Sequence, residues 1–204
     1  LKALDIGAVV DLRRPGERRD QPSRRPDGWS GMVIEGGIDD GVEAPHITFL
    51  KTQDLTPASG RRFMQDVYRR LPFDAAHQDV FARYFQALAD QDRPVVIHCA
   101  AGKDRTGFLA ALTHHLLGVS RDDMVEDYLL TNVAVDLAGR APSIARQLHK
   151  MTGRVAADDA VVAFLGVEAA YLEAALAEVA ARHGAIDAYL RDALGVDADR
   201  RERI

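Results

Sequence analysis

The sequence predicts an α/β fold: a small, mostly parallel central sheet, many flanking helices and a helix-rich C-terminal half. Three observations carry this expectation. Residues 6–12 (IGAVVDL) and 94–98 (PVVIH) are short apolar runs with the length and composition of buried strands. The second run is followed at once by a glycine-bearing loop and a strongly helical stretch, the strand–loop–helix order of parallel sheets. Beyond Asn132 every remaining segment has helical character.

Taken in order, residues 6–12 form the first strand, and residues 13–31 (RRPGERRDQPSRRPDGWSG) read as a loop rich in Pro, Gly and Arg. Residues 32–35 are a short strand, 36–41 (GGIDDG) a turn, and 46–50 (HITFL) a further strand. Thr56 followed by Pro57 starts a helix, with threonine as N-cap and proline at the first helical position. Phe63, Val67 and Leu71 share one of its faces. Residues 73–90 continue as a second helix whose apolar side is Val80, Phe81, Tyr84, Phe85 and Leu88. After the strand at 94–98, residues 107–117 are helical, and Ser120 caps another helix with acids in its first turn. Helices follow over 134–152, 157–165, 167–182, 185–194 and from 197, with Gly153, Gly166, Gly184 and Gly195 as stops.

The chain of 204 residues is long enough to bury a sizeable core, and residues 1–204 read as one domain. A net charge of −5 gives no global reason for nucleic-acid binding. One cysteine excludes an internal disulfide, and no apolar run approaches the ~20 residues of a membrane span. No signal peptide is visible, so the expected location is cytoplasmic. Secretion stays open: the chain begins with Leu1, and LKALDIGAVVDL reads as the end of a helix entering a strand, so residues are expected upstream.

The single cysteine, Cys99, lies in HCAAGKDRTG, residues 98–107. In open α/β sheets, sites form at the C-terminal ends of strands. A loop that feeds a helix N-terminus presents unpaired N–H groups and the positive end of the helix dipole, and so receives anions. Lys103 and Arg105 add positive charge. As a nucleotide-binding GxxxxGK[ST] loop it fails twice: Ile97 stands where the first glycine belongs, and Asp104 where a hydroxyl would meet Mg²⁺. As cysteine, five residues and arginine, the spacing has a chemical reason. The backbone curls around a tetrahedral oxyanion above the Cys99 sulfur, and Arg105 grips two of its oxygens. Gly102 supplies the backbone turn that residues with a Cβ resist. The helix dipole, the loop N–H groups and Arg105 are then expected to depress the thiol pKa.

HCAAGKDRTG resembles the active-site signature of the cysteine-dependent protein tyrosine phosphatase superfamily. Its GKDRTG form is similar to that of the atypical bacterial tyrosine/serine phosphatases. The resemblance extends to VVDLRRPGER (9–18), to DDMVEDYLLTN (122–132) and to the C-terminal helical pair YLEAALAEVAARHGAIDAYLRDALGV (171–196), and so covers nearly the whole chain. Members of that family usually begin with a further N-terminal segment. The resemblance implies a tyrosine-phosphatase-like fold and hydrolysis of phosphate monoesters through a cysteinyl-phosphate, without cofactor or metal. Phosphotyrosine is the implied substrate, with phosphoserine/threonine and phosphoinositides within range. Phosphate, sulfate and vanadate are the small anions expected to fit. The alternatives are a phosphoinositide or inositol-phosphate phosphatase as the main activity, a catalytically dead phospho-ligand module, and a different thiol enzyme, for which the chain has no second cysteine.

Within this reading Cys99 is the nucleophile and Arg105 binds the transition state. Thr106 caps the helix and, by analogy with the family, helps the sulfur leave. His98 hydrogen-bonds the loop and holds the thiolate. Ala100, Ala101, Gly102, Lys103 and Gly107 complete the phosphate-binding loop. Lys103 either reads extra phosphates or is a solvated lysine at the rim. The superfamily's usual acid, an aspartate on a movable upstream loop, has no evident counterpart, because QDVYRRLPFD (65–74), with Asp66 and Asp74, reads as helix. Asp104, on the family's GKDRT aspartate, is therefore the first candidate acid, Asp11 the second, and Asp39 and Asp40 the third. Arg13 and Glu17 fall on the family's DLR arginine and its glutamate, and Asp11 and Arg13 are expected at the substrate. Arg14, Arg18, Arg19, Arg24 and Arg25 make either a basic rim that steers anions or a solvated loop. Residues 132–165 form either a helical lid over the site, by family analogy, or plain core. His114 and His115, adjacent on a helix, do not face the same way and make a poor metal pair.

Overall fold

Strands of four residues can be buried on both faces only if helices cover both sides of the sheet. The computed structural model describes residues 2–37 and 45–204 and packs helices against a three-stranded sheet. The chain runs from β1 (Ala8–Asp11) through α1 (Pro15–Asp20) to β2 (Met32–Glu35). It continues through α2 (Pro45–Thr52), α3 (Pro57–Arg70), a 3-10 turn (Leu71–Phe73) and α4 (Ala75–Asp90) to β3 (Val95–His98). Helices α5 (Asp104–Leu116), α6 (Arg121–Ala134), α7 (Leu137–Thr152), α8 (Asp158–Leu165), α9 (Ala169–His183), α10 (Ile186–Asp192) and α11 (Ala198–Arg203) follow. The sheet order is β2-β1-β3 and both pairings are parallel. The register sets Asp11, at the end of the central strand, beside Glu35 on one side and His98 on the other. All three strands thus end on one edge, and the loop after β3 opens there.

The core joins this sheet to the helices. Val10 and Leu12 of the first strand segment pack in one cluster with Phe81 and Phe85 of α4, Phe108, Leu109 and Leu112 of α5, and Tyr171, Leu172 and Leu176 of α9. Each such side chain, fully removed from water, contributes about 1.5–3 kcal/mol. Helix starts follow the expected chemistry: Thr56 Oγ1 accepts the Ser59 N–H at 3.1 Å, and Ser120 Oγ accepts that of Asp123 at 3.1 Å. By length and composition alone residues Asp158–His183 would suffice for a membrane span. In the fold the stretch breaks at Gly166 into α8 and α9, and 56% of its apolar window is buried within the protein.

Three expectations need correction. Residues 46–50 are not a strand but lie in α2: Pro45 opens the helix, Phe49 stacks on Phe63 at 4.4 Å between ring centroids, and Leu50 is buried. A five-residue apolar run fits either structure locally, and here packing on α3 and α8 decides. Inside the expected loop, PGERRD forms α1, with Pro15 at its start and Glu17 Oε2 accepting the Arg14 N–H at 2.7 Å. The helix expected from residue 73 begins instead at Ala75. Asp74 caps it, its Oδ1 accepting the N–H groups of Ala76 and His77 at 2.9 and 3.2 Å. Asp39 and Asp40, in the expected turn, lie outside the described residues.

Candidate active site

β3 delivers the chain to Cys99, and α5 begins at Asp104, so the intervening loop sits at a helix N-terminus. Gly102 has φ +67°, a left-handed conformation that a side chain would strain. The turn aims the Gly102 N–H at Cys99 Sγ, 3.2 Å away. Cys99 is buried, and burial is the largest single influence on its thiol, pushing the pKa up. The Thr106 hydroxyl, the Arg105 guanidinium and the N–H groups of Thr106 and Gly102 together outweigh it, so the thiol titrates below its ordinary value. Thr106 Oγ1 is buried with no formed hydrogen bond among the described residues, which leaves its proton free to turn to the sulfur as the thiolate forms.

Arg105 is held from behind. Its Nη1 donates to Leu12 O at 2.9 Å and to Glu17 Oε2 at 2.7 Å, and its Nη2 donates to Glu17 Oε1 at 2.9 Å. A guanidinium has five N–H donors in a planar fork. The Nε–H and the second Nη2–H remain, side by side, without a described acceptor, and two parallel donors match two oxygens of a phosphoryl group. Burial favours a neutral Glu17 carboxyl, but Arg105 and the Arg14 N–H outweigh this and hold it ionised below its ordinary range.

Asp104 opens α5, directly after the loop. Its Oδ1 accepts from Lys103 Nζ at 2.8 Å and from the Tyr68 hydroxyl at 2.9 Å, and Tyr68 meets the Tyr128 hydroxyl at 2.6 Å. Lys103 is only 8% exposed, so it is not a solvated side chain. Cys99, Ala100, Ala101, Lys103, Asp104 and Arg105 together floor a cleft of about 520 Å³. Phe63, Met64, Val67 and Leu71 from the α3 side, and Phe164 and Leu165 from α8, give it apolar walls.

Several expected residues stand elsewhere. Asp11 is 1% exposed and does not line the cleft. Its carboxylate accepts the Arg13 N–H at 3.1 Å, Nε at 2.9 Å and Nη2 at 2.7 Å. Burial pushes its pKa up, yet the Arg13 bonds more than offset this and keep it ionised, so it is corrected from a candidate acid to an anchor. Arg13 is likewise committed, donating also to Gln21 O at 2.7 Å and Ser23 Oγ at 2.6 Å, and takes no part in the cleft. His98 Nε2 lies 3.6 Å from Asp11 Oδ2, and the His98 carbonyl accepts the Leu12 N–H at 2.8 Å, which ties the base of the loop to the central strand segment. Gly107 is outside the cleft lining. A Cβ there would come within 2.8 Å of the Tyr128 ring, so its role is to let α6 approach α5.

Of the arginines expected as a basic rim or a solvated loop, Arg14 lines the cleft, which also gathers residues not expected at the site: His46, Arg70, Asp74 and His77. His77 is neutral at ordinary pH, because burial depresses its pKa more than nearby Asp74 raises it. His46 was hidden by the strand assignment, and Asp74 and His77 by a helix start placed at residue 73, before the cap. The Asp-x-x-His spacing after Pro72 is the one local signal of a cap that would have exposed the break.

Fold and loop place the protein among phosphatases that carry cysteine and arginine at the two ends of one phosphate-sized loop. A model of the tyrosine phosphatase family matches residues 1–204. The chain is 34% identical over 197 residues to a Cupriavidus necator protein assigned as a tyrosine-protein phosphatase, covering 97% of this chain and 68% of that one. It is 35% identical over 225 residues to the triple specificity protein phosphatase PtpB of Mycobacterium tuberculosis, covering 95% and 79%. The chain belongs to the tyrosine phosphatase family, and its activity is that of a protein-tyrosine phosphatase.

Proposed function

We propose that the protein hydrolyses phosphate monoesters through a cysteinyl-phosphate on Cys99, with phosphotyrosine as the principal substrate. The observation that carries this reading is the placement of the Cys99 sulfur under the Gly102 N–H, with the Arg105 fork held over the same loop. The Cys99 thiolate attacks phosphorus in line with the leaving oxygen. As the S–P bond forms, the P–O bond breaks and its electron pair goes to the leaving oxygen, which takes a proton from Asp104. Arg105 and the loop N–H groups hold the equatorial oxygens as charge develops. Water, giving its proton to Asp104, then cleaves the S–P bond, and Thr106 stabilises the departing thiolate. The apolar walls suit an aromatic ring between loop and solvent, and α8, with α7 packed on it, acts as a cover over the site.

A second substrate class, phosphoinositides, is supported by Lys103 in the cleft floor and by Arg14 and Arg70 in its lining. The triple specificity of the Mycobacterium tuberculosis relative supports the same breadth. A panel of phosphotyrosine peptide, phosphoserine peptide and phosphoinositide tests both readings on wild type, Cys99→Ser and Lys103→Ala. Cys99→Ser is expected to lose turnover of every substrate while still binding phosphate, and a fully active serine variant overturns the mechanism. Selective loss of phosphoinositide turnover in Lys103→Ala supports lipid recognition, and equal loss on all substrates removes it.

A further inference from the structure

We infer that Tyr68, backed by Tyr128, is a positioning residue for catalysis: it pins Oδ1 of Asp104 so that the transferable proton is carried on Oδ2. The inference rests on the reading of Asp104 as the acid. The donor inventory fixes the polarity of the network. Lys103 Nζ can only donate, so Oδ1 is an acceptor in its 2.8 Å contact and the proton of a neutral Asp104 belongs on Oδ2. Tyr68 has one hydroxyl proton and gives it to the same Oδ1 at 2.9 Å. Its 2.6 Å contact with Tyr128 therefore has Tyr128 as donor. The chain runs from Tyr128 to Tyr68 to Asp104, with Lys103 closing it from the other side.

The scaffold around the pair is rigid. Tyr68 is fully buried and Tyr128 nearly so, and the two rings meet edge-on at 6.3 Å. Tyr171 lies against Tyr68 at 5.9 Å, and the bare Cα of Gly107 admits the Tyr128 ring to the first turn of α5. Burial above all pushes the Tyr68 hydroxyl well above its ordinary pKa, and the charge Asp104 carries once its proton has left adds to this, so Tyr68 stays a protonated donor through the working range. During the first step the Oδ2 proton passes to the leaving oxygen as the P–O bond breaks. The carboxylate left behind already has two donors on Oδ1. When water attacks phosphorus, the new O–P bond forms as the S–P bond breaks with its electron pair going to sulfur, and the water's proton returns to Oδ2.

The test compares kcat/KM for aryl phosphates of good (p-nitrophenyl) and poor (phenyl) leaving groups in wild type, Asp104→Asn, Tyr68→Phe, Tyr128→Phe and the Tyr68→Phe/Asp104→Asn double variant, with thermal melts confirming the fold. General acid catalysis contributes about 10²–10⁴-fold, so Tyr68→Phe is expected to lose about tenfold on phenyl phosphate and much less on p-nitrophenyl phosphate. Tyr128→Phe shows the same pattern more weakly, and Tyr68→Phe costs nothing further once Asp104 is Asn. A residue that merely packs would lower both substrates equally and additively with Asp104→Asn. That result overturns the inference while leaving the acid assignment intact. If Asp104→Asn itself does not steepen the leaving-group dependence, the acid assignment fails and the inference fails with it. Should Tyr68→Phe not fold, the Tyr128→Phe pattern decides in the same way.

Discussion

Glu17 accepts both terminal nitrogens of Arg105, at 2.7 and 2.9 Å, and so turns the remaining edge of the guanidinium toward the loop that holds Cys99. A residue 88 positions away in sequence thus aims the arginine of the loop.

Glu17→Gln keeps the size but loses one acceptor and the charge. Misplacing a positioned group by about 1 Å costs about 10²-fold, so kcat/KM is expected to fall about ten- to a hundredfold. Vanadate affinity should weaken in parallel, because the same fork binds it. Steady-state kinetics and vanadate titration check this, and unchanged vanadate binding would count against the aiming role.

The lowered Cys99 thiol pKa predicts that alkylation by iodoacetamide persists below the pH range of an ordinary cysteine and falls off as pH drops through the depressed value. Thr106→Val removes a lowering influence and should move the alkylation profile to higher pH, whereas Thr106→Ser should leave it in place. The rate of alkylation against pH, followed by intact mass, gives the answer.

Asp11 has a folded pKa below its unfolded value. Its contribution to stability is therefore present above the ordinary carboxylate range and lost as pH falls through the depressed folded value. Asp11→Asn leaves the largely buried Arg13 with neutral acceptors only, Gln21 O and Ser23 Oγ among them, at a cost of about 3 kcal/mol near neutral pH. Urea denaturation should show wild type and variant converging below about pH 4. A constant gap between them at all pH values would assign the loss to shape and not to charge.

Gly107→Ala sets two effects against each other. Alanine favours a helix interior by about 1 kcal/mol over glycine. The new Cβ, however, would stand 2.8 Å from the Tyr128 ring, and overpacking of this kind costs about 1–3 kcal/mol. A net loss of stability is expected, together with lower activity on poor leaving groups, because Tyr128 supports Tyr68. A stabilised, fully active variant would show that α6 gives way freely.

Much of this protein was legible along the chain. The β1, β2 and β3 segments, the capped starts of α3 and α6 and the Cys99–Arg105 loop are local patterns, set by apolar runs, cap chemistry and one short spacing. Where two local solutions were equally good, the reading failed. Residues 46–50 became helix because Phe49 packs between Phe63 and Phe164.

The sequence by itself determined the Cys99–Arg105 loop between a strand and a helix start, because those residues lie within seven consecutive positions and need no partner to be recognised. Only the tertiary structure decided that Glu17 aims Arg105, that Asp11 and Arg13 anchor each other away from the cleft, and that Tyr68 and Tyr128 hold Asp104. The Glu17 and tyrosine contacts join α1, α3, α5 and α6, and which side chains meet across packed elements is set by the shape of the shared core, which local spacing does not encode; Asp11 and Arg13 are two residues apart, and there the fold decides only that the pair is buried away from the cleft.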